Sequence, residues 1–297
     1  MLAAPLLMGG ACEKKTNKPN DTGAMNALDQ ASTAPVPNGP PDTTPLAGVE
    51  IGKLEGDKTQ LFYKLVGSLK SPCGKAHSLR TSFTSDTSCK RASYAVQYVV
   101  ALLEDEAGEK IVREEYAKKY EKTVTPVKLE VSRAPRHGND DSRIKLIEFF
   151  DYECGHCQQF KSVLEKVLAD KGEQVTAYFM MFPIESNHPN ARGAAQAAIA
   201  ANQQGKFKEM HDKLFELTPK ISRDQITSIA KGIGLDMAKF EKDYAEASSQ
   251  VTSDQKQGDT AGVESTPTLF LNDRKYEGPL FARYIEMWID EELAVNR

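Results

Sequence analysis

The chain has 297 residues, 40% of them hydrophobic and 27% charged, with a formal net charge of -4 at pH 7. That composition suits a soluble globular protein of one to two domains with enough apolar residues for a real core. Lys and Arg are interleaved with Asp and Glu, leaving no basic stripe to neutralise a phosphate backbone, so no nucleic acid is expected as a partner.

The first residues, MLAAPLLMGGAC, are small and apolar, and the chain turns polar immediately after Cys12 with EKKTNKPNDTG. This pattern over residues 1–12 resembles the end of a bacterial lipoprotein signal, in which the cysteine becomes the lipidated N-terminus; an ordinary secretory signal or a disordered apolar end is the alternative. Residues 13–48 are rich in Pro, Thr, Asn, Ala, Gly and Asp, too poor in large apolar side chains to offset the entropy of ordering them. They read as a flexible tether. A coil of about 30 residues spans roughly 30 Å root-mean-square.

Residues 49–122 carry helical spacing. DKTQLFYKLVGSL and SYAVQYVVALLEDE repeat apolar residues every three or four positions. REEYAKKYEK sets Glu114 four residues before Lys118 and Glu115 four before Lys119, the order expected on a solvated helix face. From residue 124 to the end the pattern alternates. VKLEVS predicts a short strand, HGNDDS a turn, RIKLIEFFDY a buried strand, CGHCQQFKSVLEKVLADKG an amphipathic helix ended by Gly172, and QVTAYFMMFP a second buried strand. Strand, helix, strand implies parallel pairing with a right-handed crossover. A helical stretch over about 188–257 follows, then two short strands around Asn272-Asp273 and a closing helix over about 280–293.

Two of the five cysteines, Cys154 and Cys157, fall at the junction between the strand IKLIEFF and its helix. A thiol at a helix N-terminus meets unpaired amides and the positive end of the helix dipole, so Cys154 should ionise at unusually low pH and act as the nucleophile. Cys157, one turn inward, can close a disulfide with it and release a trapped mixed disulfide. His156, between them, is placed to support the Cys154 thiolate. Lowering a thiol from about 7 to about 3.5 is worth roughly 4 to 5 kcal/mol. That is most of the roughly 7 kcal/mol between the least and most oxidising pairs of this kind.

IEFFDYECGHCQQF resembles the active-site region of DsbA-like thiol-disulfide oxidoreductases of the thioredoxin superfamily, and the resemblance extends over about residues 127–293. It rests on the C-x-x-C at a strand-to-helix junction, on Glu148 six positions earlier, and on Thr266-Pro267 just before TLFLN. The resemblance implies an α/β thioredoxin fold with a helical insertion, here preceded by a small α-helical module and a disordered N-terminal tether. It implies that Glu148 is a buried carboxylate moving protons to and from the inner thiol, and that Thr266-Pro267 is a cis-proline loop offering backbone groups to an extended peptide. It implies no organic cofactor or metal. The expected activity is disulfide exchange with cysteine-containing exported proteins, as an oxidase regenerated by a membrane redox partner. The expected location is the periplasm-facing bacterial envelope, anchored to the membrane through lipid on Cys12. A reductase or isomerase, left open by Thr266, is the alternative within the chemistry; a peptide-binding chaperone module with a structural disulfide is the alternative outside it.

Four histidines, His77, His137, His188 and His211, are scattered and read as surface or capping residues. A zinc site of Cys73, Cys89, Cys154 and Cys157 is disfavoured, because the fifteen residues between Cys73 and Cys89 form no second knuckle. With one cysteine assigned to lipid and two to the active site, Cys73 and Cys89 remain, in a compartment that oxidises thiols. They are expected to form a structural disulfide, with an electron relay to Cys154 as the alternative.

Overall fold

The computed structural model describes residues 39–295 apart from positions 124 and 140. The segment 1–12, Cys12 and most of the tether lie outside the described residues.

Among the described residues four helices come first, α1 (Asp57–Ser68), α2 (Leu79–Thr84), α3 (Ala92–Glu104) and α4 (Glu109–Tyr116), the last continued by a π-helical turn over Ala117–Glu121. A five-stranded sheet follows, formed by β1 (Arg136–Gly138), β2 (Ile144–Phe150), β3 (Val175–Met181), β4 (Thr268–Leu271) and β5 (Arg274–Lys275) in the order β1-β3-β2-β4-β5. The central pair β2 and β3 is parallel and joined through α5 (Gly155–Lys171). All other pairings are antiparallel. Between β3 and β4 stand five inserted helices: α6 (Ala191–Asn202), α7 (Phe207–Leu217), α8 (Arg223–Gly232), α9 (Met237–Glu246) and α10 (Ser248–Thr260). A final helix, α11 (Ala282–Val295), closes the chain. This is a thioredoxin fold with a helical insertion behind a helical N-terminal module.

Alternation along β2 decides which side chains meet. Leu146 and Phe150 join the core beneath α5, whereas Ile147 and Phe149 join a second cluster with Val131, Met180 and Phe270 on the opposite sheet face. Glu148, two residues from each of Leu146 and Phe150, therefore belongs to the α5 side. On α5 the buried residues are Cys157, Phe160, Leu164 and Val167, a stripe at helical spacing that continues the line of the inner cysteine. Gly258 is needed where α10 crosses the sheet end, because a Cβ there would lie 2.6 Å from the Phe182 ring.

VKLEVS is not a strand, and the edge strand is Arg136–Gly138, which overlaps the start of the stretch HGNDDS that reads as a turn. The physical reason is a substitute partner. The Glu130 backbone N–H donates to Gln257 Oε1 at 2.7 Å and the Gln257 amide returns a hydrogen bond to the Glu130 carbonyl, so a side chain of α10 satisfies this backbone where a ladder would. Val131 still covers the sheet.

The charge run of α4 is also not a simple solvated face. Lys119 is buried, pairs with Glu291 of α11 at 2.9 Å and lies 3.9 Å above the Trp288 ring. The wide π turn displaces Lys118 and Lys119 from the i,i+4 register; Lys118 pairs instead with Glu115. Glu291 further accepts hydrogen bonds from Tyr120 and Arg91, so one buried carboxylate gathers three donors from the N-terminal module. Apolar residues of both parts, Phe62 and Val99 with Ile285 and Leu164 among them, belong to one continuous core.

Candidate active site

The loop between β2 and α5 is held by its own carboxylates. Asp151 accepts hydrogen bonds from the Glu153 and Ile184 amides, each at 2.7 Å, and pairs with His188 Nδ1 at 2.8 Å. Glu153 accepts from the Asn190 amide at 2.8 Å. The residues just before the thiols are thus tied to the segment that opens the helical insertion. Asp151 and Glu153, which the sequence does not single out, and His188, which reads as a surface or capping residue, hold this loop in place. The signal available was the pair of acids flanking Tyr152 immediately before C-x-x-C.

Cys154 is the N-cap of α5, 8% exposed, with its carbonyl already accepting from the Gln158 amide. Its thiol donates to the Thr266 carbonyl at 3.4 Å. The Thr266-Pro267 peptide is cis and lies across from the helix start, so the two site segments meet although they are more than a hundred residues apart. The Cys154 thiol is lowered from its usual range to about 4: the hydrogen bond from Cys157 contributes most, partial burial opposes it, and the Thr266 side chain and the amides of Cys157 and His156 add to it. Thr266 Oγ1 is buried with no hydrogen-bond partner for the thiol form, and a thiolate supplies the acceptor it lacks.

Cys157 is fully buried, and its thiol is pushed far up by burial, then by the bond to Cys154 and the Glu148 charge. The two thiols are chemically unequal: one is anionic at neutral pH and reachable, the other neutral and sealed. Glu148 is 3% exposed, and burial, helped by the Cys154 charge, raises its carboxyl to about 8. His156 sits differently from the expectation that its ring serves the thiolate. Its side chain is exposed, and the group acting on Cys154 is its backbone amide.

Of the scattered histidines, His211 is not a surface residue. It is buried among Phe150, Phe179, Phe207 and Phe215, with Nδ1 3.0 Å from the Tyr152 hydroxyl, and burial holds its imidazole down at about 3. His188 is committed to Asp151.

Cys73 and Cys89 form a disulfide, with Cα atoms 5.8 Å apart. Its distance from Cys154 follows from helix directions. β5 runs back toward the cis-proline end, since the Tyr276 amide reaches the Leu269 carbonyl, so α11 begins near the thiols. α3 lies antiparallel to α11: Arg91 at its start pairs with Glu291, and Glu104 at its end pairs with Arg283. Cys89, just before α3, is thus about 20 Å, one helix length, from the thiol end. The two pairs thus stand apart in this arrangement, and among the described residues the four cysteines are not gathered into one metal-binding cluster.

A family model described as thioredoxin matches residues 131–291. Among curated proteins, a Na(+)/H(+) antiporter NhaA 1 of Mycolicibacterium vanbaalenii is 33% identical over 162 residues, 53% of this chain and 26% of the antiporter. A protein of the same name from Mycolicibacterium gilvum is 32% identical over 146 residues, 48% of this chain and 24% of that one. The chain thus spans about a quarter of the length of these relatives. Among solved structures, a thioredoxin-like oxidoreductase from Silicibacter pomeroyi is 25% identical, with a TM-score of 0.50, over 55% of this chain and 93% of its own. Oxidised BdbD of Bacillus subtilis is 25% identical, with a TM-score of 0.50, over 58% of this chain and 99% of its own.

Proposed function

From the premise that the chain belongs to the thioredoxin family, we propose that it is a thiol-disulfide oxidoreductase working as an oxidase of exported proteins through Cys154 and Cys157. In the oxidised protein a substrate thiolate attacks the Cys154 sulfur, the Cys154–Cys157 bond breaks, and Cys157 takes the electron pair and a proton from Glu148. A second substrate thiolate then attacks the substrate sulfur bonded to Cys154, which leaves as the thiolate. Substrate loses two electrons and the cysteine pair gains them. The observation that carries the direction is the inequality of the thiols. A leaving group stabilised as an anion departs readily and favours the reduced enzyme, which is what makes a pair oxidising. Glu148, uncharged near neutral pH, is suited to supply the proton.

The Thr266 carbonyl beside cis-Pro267 offers an acceptor to an extended peptide next to the reacting sulfur. Regeneration falls to a membrane redox partner, and lipid on Cys12 would hold the enzyme at the periplasm-facing surface where such a partner resides. Among the described residues no helix is long and apolar enough to cross a membrane. Ion transport by the antiporter relatives is not part of this reading, because the match covers about a quarter of their length.

The test is the reduction potential of the 154/157 pair by equilibration with glutathione. An oxidase should lie well above the thioredoxin value of about -270 mV. A potential at or below it assigns a reductase.

A further inference from the structure

A cavity of about 540 Å³ lies between α5, β3 and α7, bounded at one end by Glu148 and His211. Its apolar walls are formed by Leu164 and Leu168 of α5, Phe179 of β3, and Phe207 and Phe215 of α7, with charged side chains of α5, α7 and β1 between them and solvent. Neither cysteine, nor Thr266, nor Pro267 belongs to its walls; of the groups assigned to the chemistry, only Glu148 does.

Glu148 raises a problem of access. A carboxyl that gives its proton to Cys157 in each turnover must recover one, yet Glu148 is 97% buried by its 3% exposure and has no hydrogen-bond partner among the described residues. On the thiol side its charge acts on Cys157, itself fully buried, and a polypeptide held at Cys154 and Thr266 would cover that side further. The other side opens onto the cavity.

We propose that this cavity is the route by which Glu148 exchanges its proton with solvent, along the flank of α5 and away from the face that substrate occupies. The inference rests on the oxidoreductase reading and deepens it. Geometry supplies the path. The lining residues Lys161 to Ala169 of α5 stand between seven and fifteen positions beyond Cys154, so the cavity reaches about 10 to 20 Å down the helix from the thiols. Its volume accommodates several waters, each needing polar partners, and Lys161, Glu165, Lys208 and Arg136 supply these besides Glu148 and His211. At the inner end stand the Glu148 carboxyl and the His211 ring, whose Nδ1 is bound to the Tyr152 hydroxyl. Along the solvent side of α5, from its thiol-near turn toward Ala169, Lys161 bridges Glu165 and Asp212 while Lys208 bridges the same two acids, joining α5 to α7 across the rim. Arg136 and His137 of β1 complete that side. Exposed side chains of this kind rearrange in picoseconds to nanoseconds, so the rim does not limit a turnover.

In the oxidase direction the Glu148 proton moves to Cys157 as the sulfur-sulfur bond breaks, and a solvent proton arriving through the cavity restores the acid. In the reverse direction Cys157 releases its proton to Glu148 and the same path carries it out. A blocked route slows both directions and leaves the equilibrium potential unchanged.

The experiment follows single-turnover exchange between the full-length protein and a dithiol peptide, in both directions. Two filling variants are compared with the parent, Ala169→Phe at the exposed mouth and Leu168→Phe deeper in. Each is expected to slow exchange by about tenfold in both directions at unchanged reduction potential and unchanged Cys154 alkylation. A second arm uses Glu148→Ala, whose slow exchange should be partly restored by added formate, and by much less in Glu148→Ala with Ala169→Phe. Parent-like rates in both filled variants, with equal formate rescue in the filled and unfilled backgrounds, overturn the route. If the parent exchanges only as a reductase, the direction proposed above fails, while the ratio of filled to unfilled rates still decides on the cavity.

Discussion

Cys154 and Cys157 differ by position more than by chemistry of their own. Three residues along one helix separate a thiol stabilised as an anion by a hydrogen bond from Cys157, by Thr266 and by helix-terminal amides from one that is fully buried, and the proposed division of roles rests on that difference. Cys157→Ser should accumulate a mixed disulfide through Cys154, visible on a non-reducing gel. Trapping by Cys154→Ser instead would reverse the assignment. Glu148 carries a pH signature. Its folded carboxyl is raised to about 8, above the unfolded value near 4.3, so the stability linked to its proton is complete below about pH 4 and is lost as pH rises toward 8. Glu148→Gln, which stays neutral, should therefore gain on the parent by up to about 1.4 kcal/mol per pH unit across that window. Melting temperatures of both proteins at pH 5 and pH 8 check this; a constant gap means that Glu148 is not a buried acid.

At the scale of elements, legibility depends on whether the partner is local. The strand IKLIEFF, the cap at Cys154 and the helix stripe through Leu164 are set by neighbours in sequence, and they are readable there. Asp151 and Glu153 are not, because their partners at Ile184, His188 and Asn190 arrive from more than thirty residues away. His211 reads as a polar residue on an amphipathic helix; four phenylalanines from three elements and the Tyr152 hydroxyl make it an interior one. VKLEVS has the alternation of a strand and loses its ladder to Gln257. The Cys73–Cys89 disulfide, expected from counting cysteines, closes a loop of 16 residues between α1 and α3. Removing it with Cys73→Ala and Cys89→Ala should cost roughly 3 kcal/mol and leave disulfide exchange unchanged. Retained stability with failed regeneration of the 154/157 disulfide would restore the relay.

For the molecule as a whole, the sequence reads as a tethered catalytic domain with a separate helical module, whereas the structure gives the two a common core and a buried ion cluster on Glu291. The cluster hides in a charge run because burial of Lys119 depends on α11, some 170 residues later. Removing one member of such a cluster leaves an uncompensated buried charge, which makes the interface sensitive to single substitutions. Attachment to a membrane is a separate matter resting on Cys12. Mass spectrometry of the protein extracted from envelopes should find a diacylglyceryl group on Cys12 as the new N-terminus; cleavage beyond Cys12 would leave a free enzyme.

The proposed oxidase depends on the inequality of its two thiols, Cys154 acidic and Cys157 sealed. That inequality is tested most directly by the rate of iodoacetamide alkylation of the reduced native protein from pH 3 to pH 10, with mass mapping of the modified cysteine. Modification should fall on Cys154 alone, with a midpoint near pH 4, while Cys157 reacts only after unfolding. A midpoint in the ordinary thiol range near 8.5, or equal labelling of both cysteines, would contradict it.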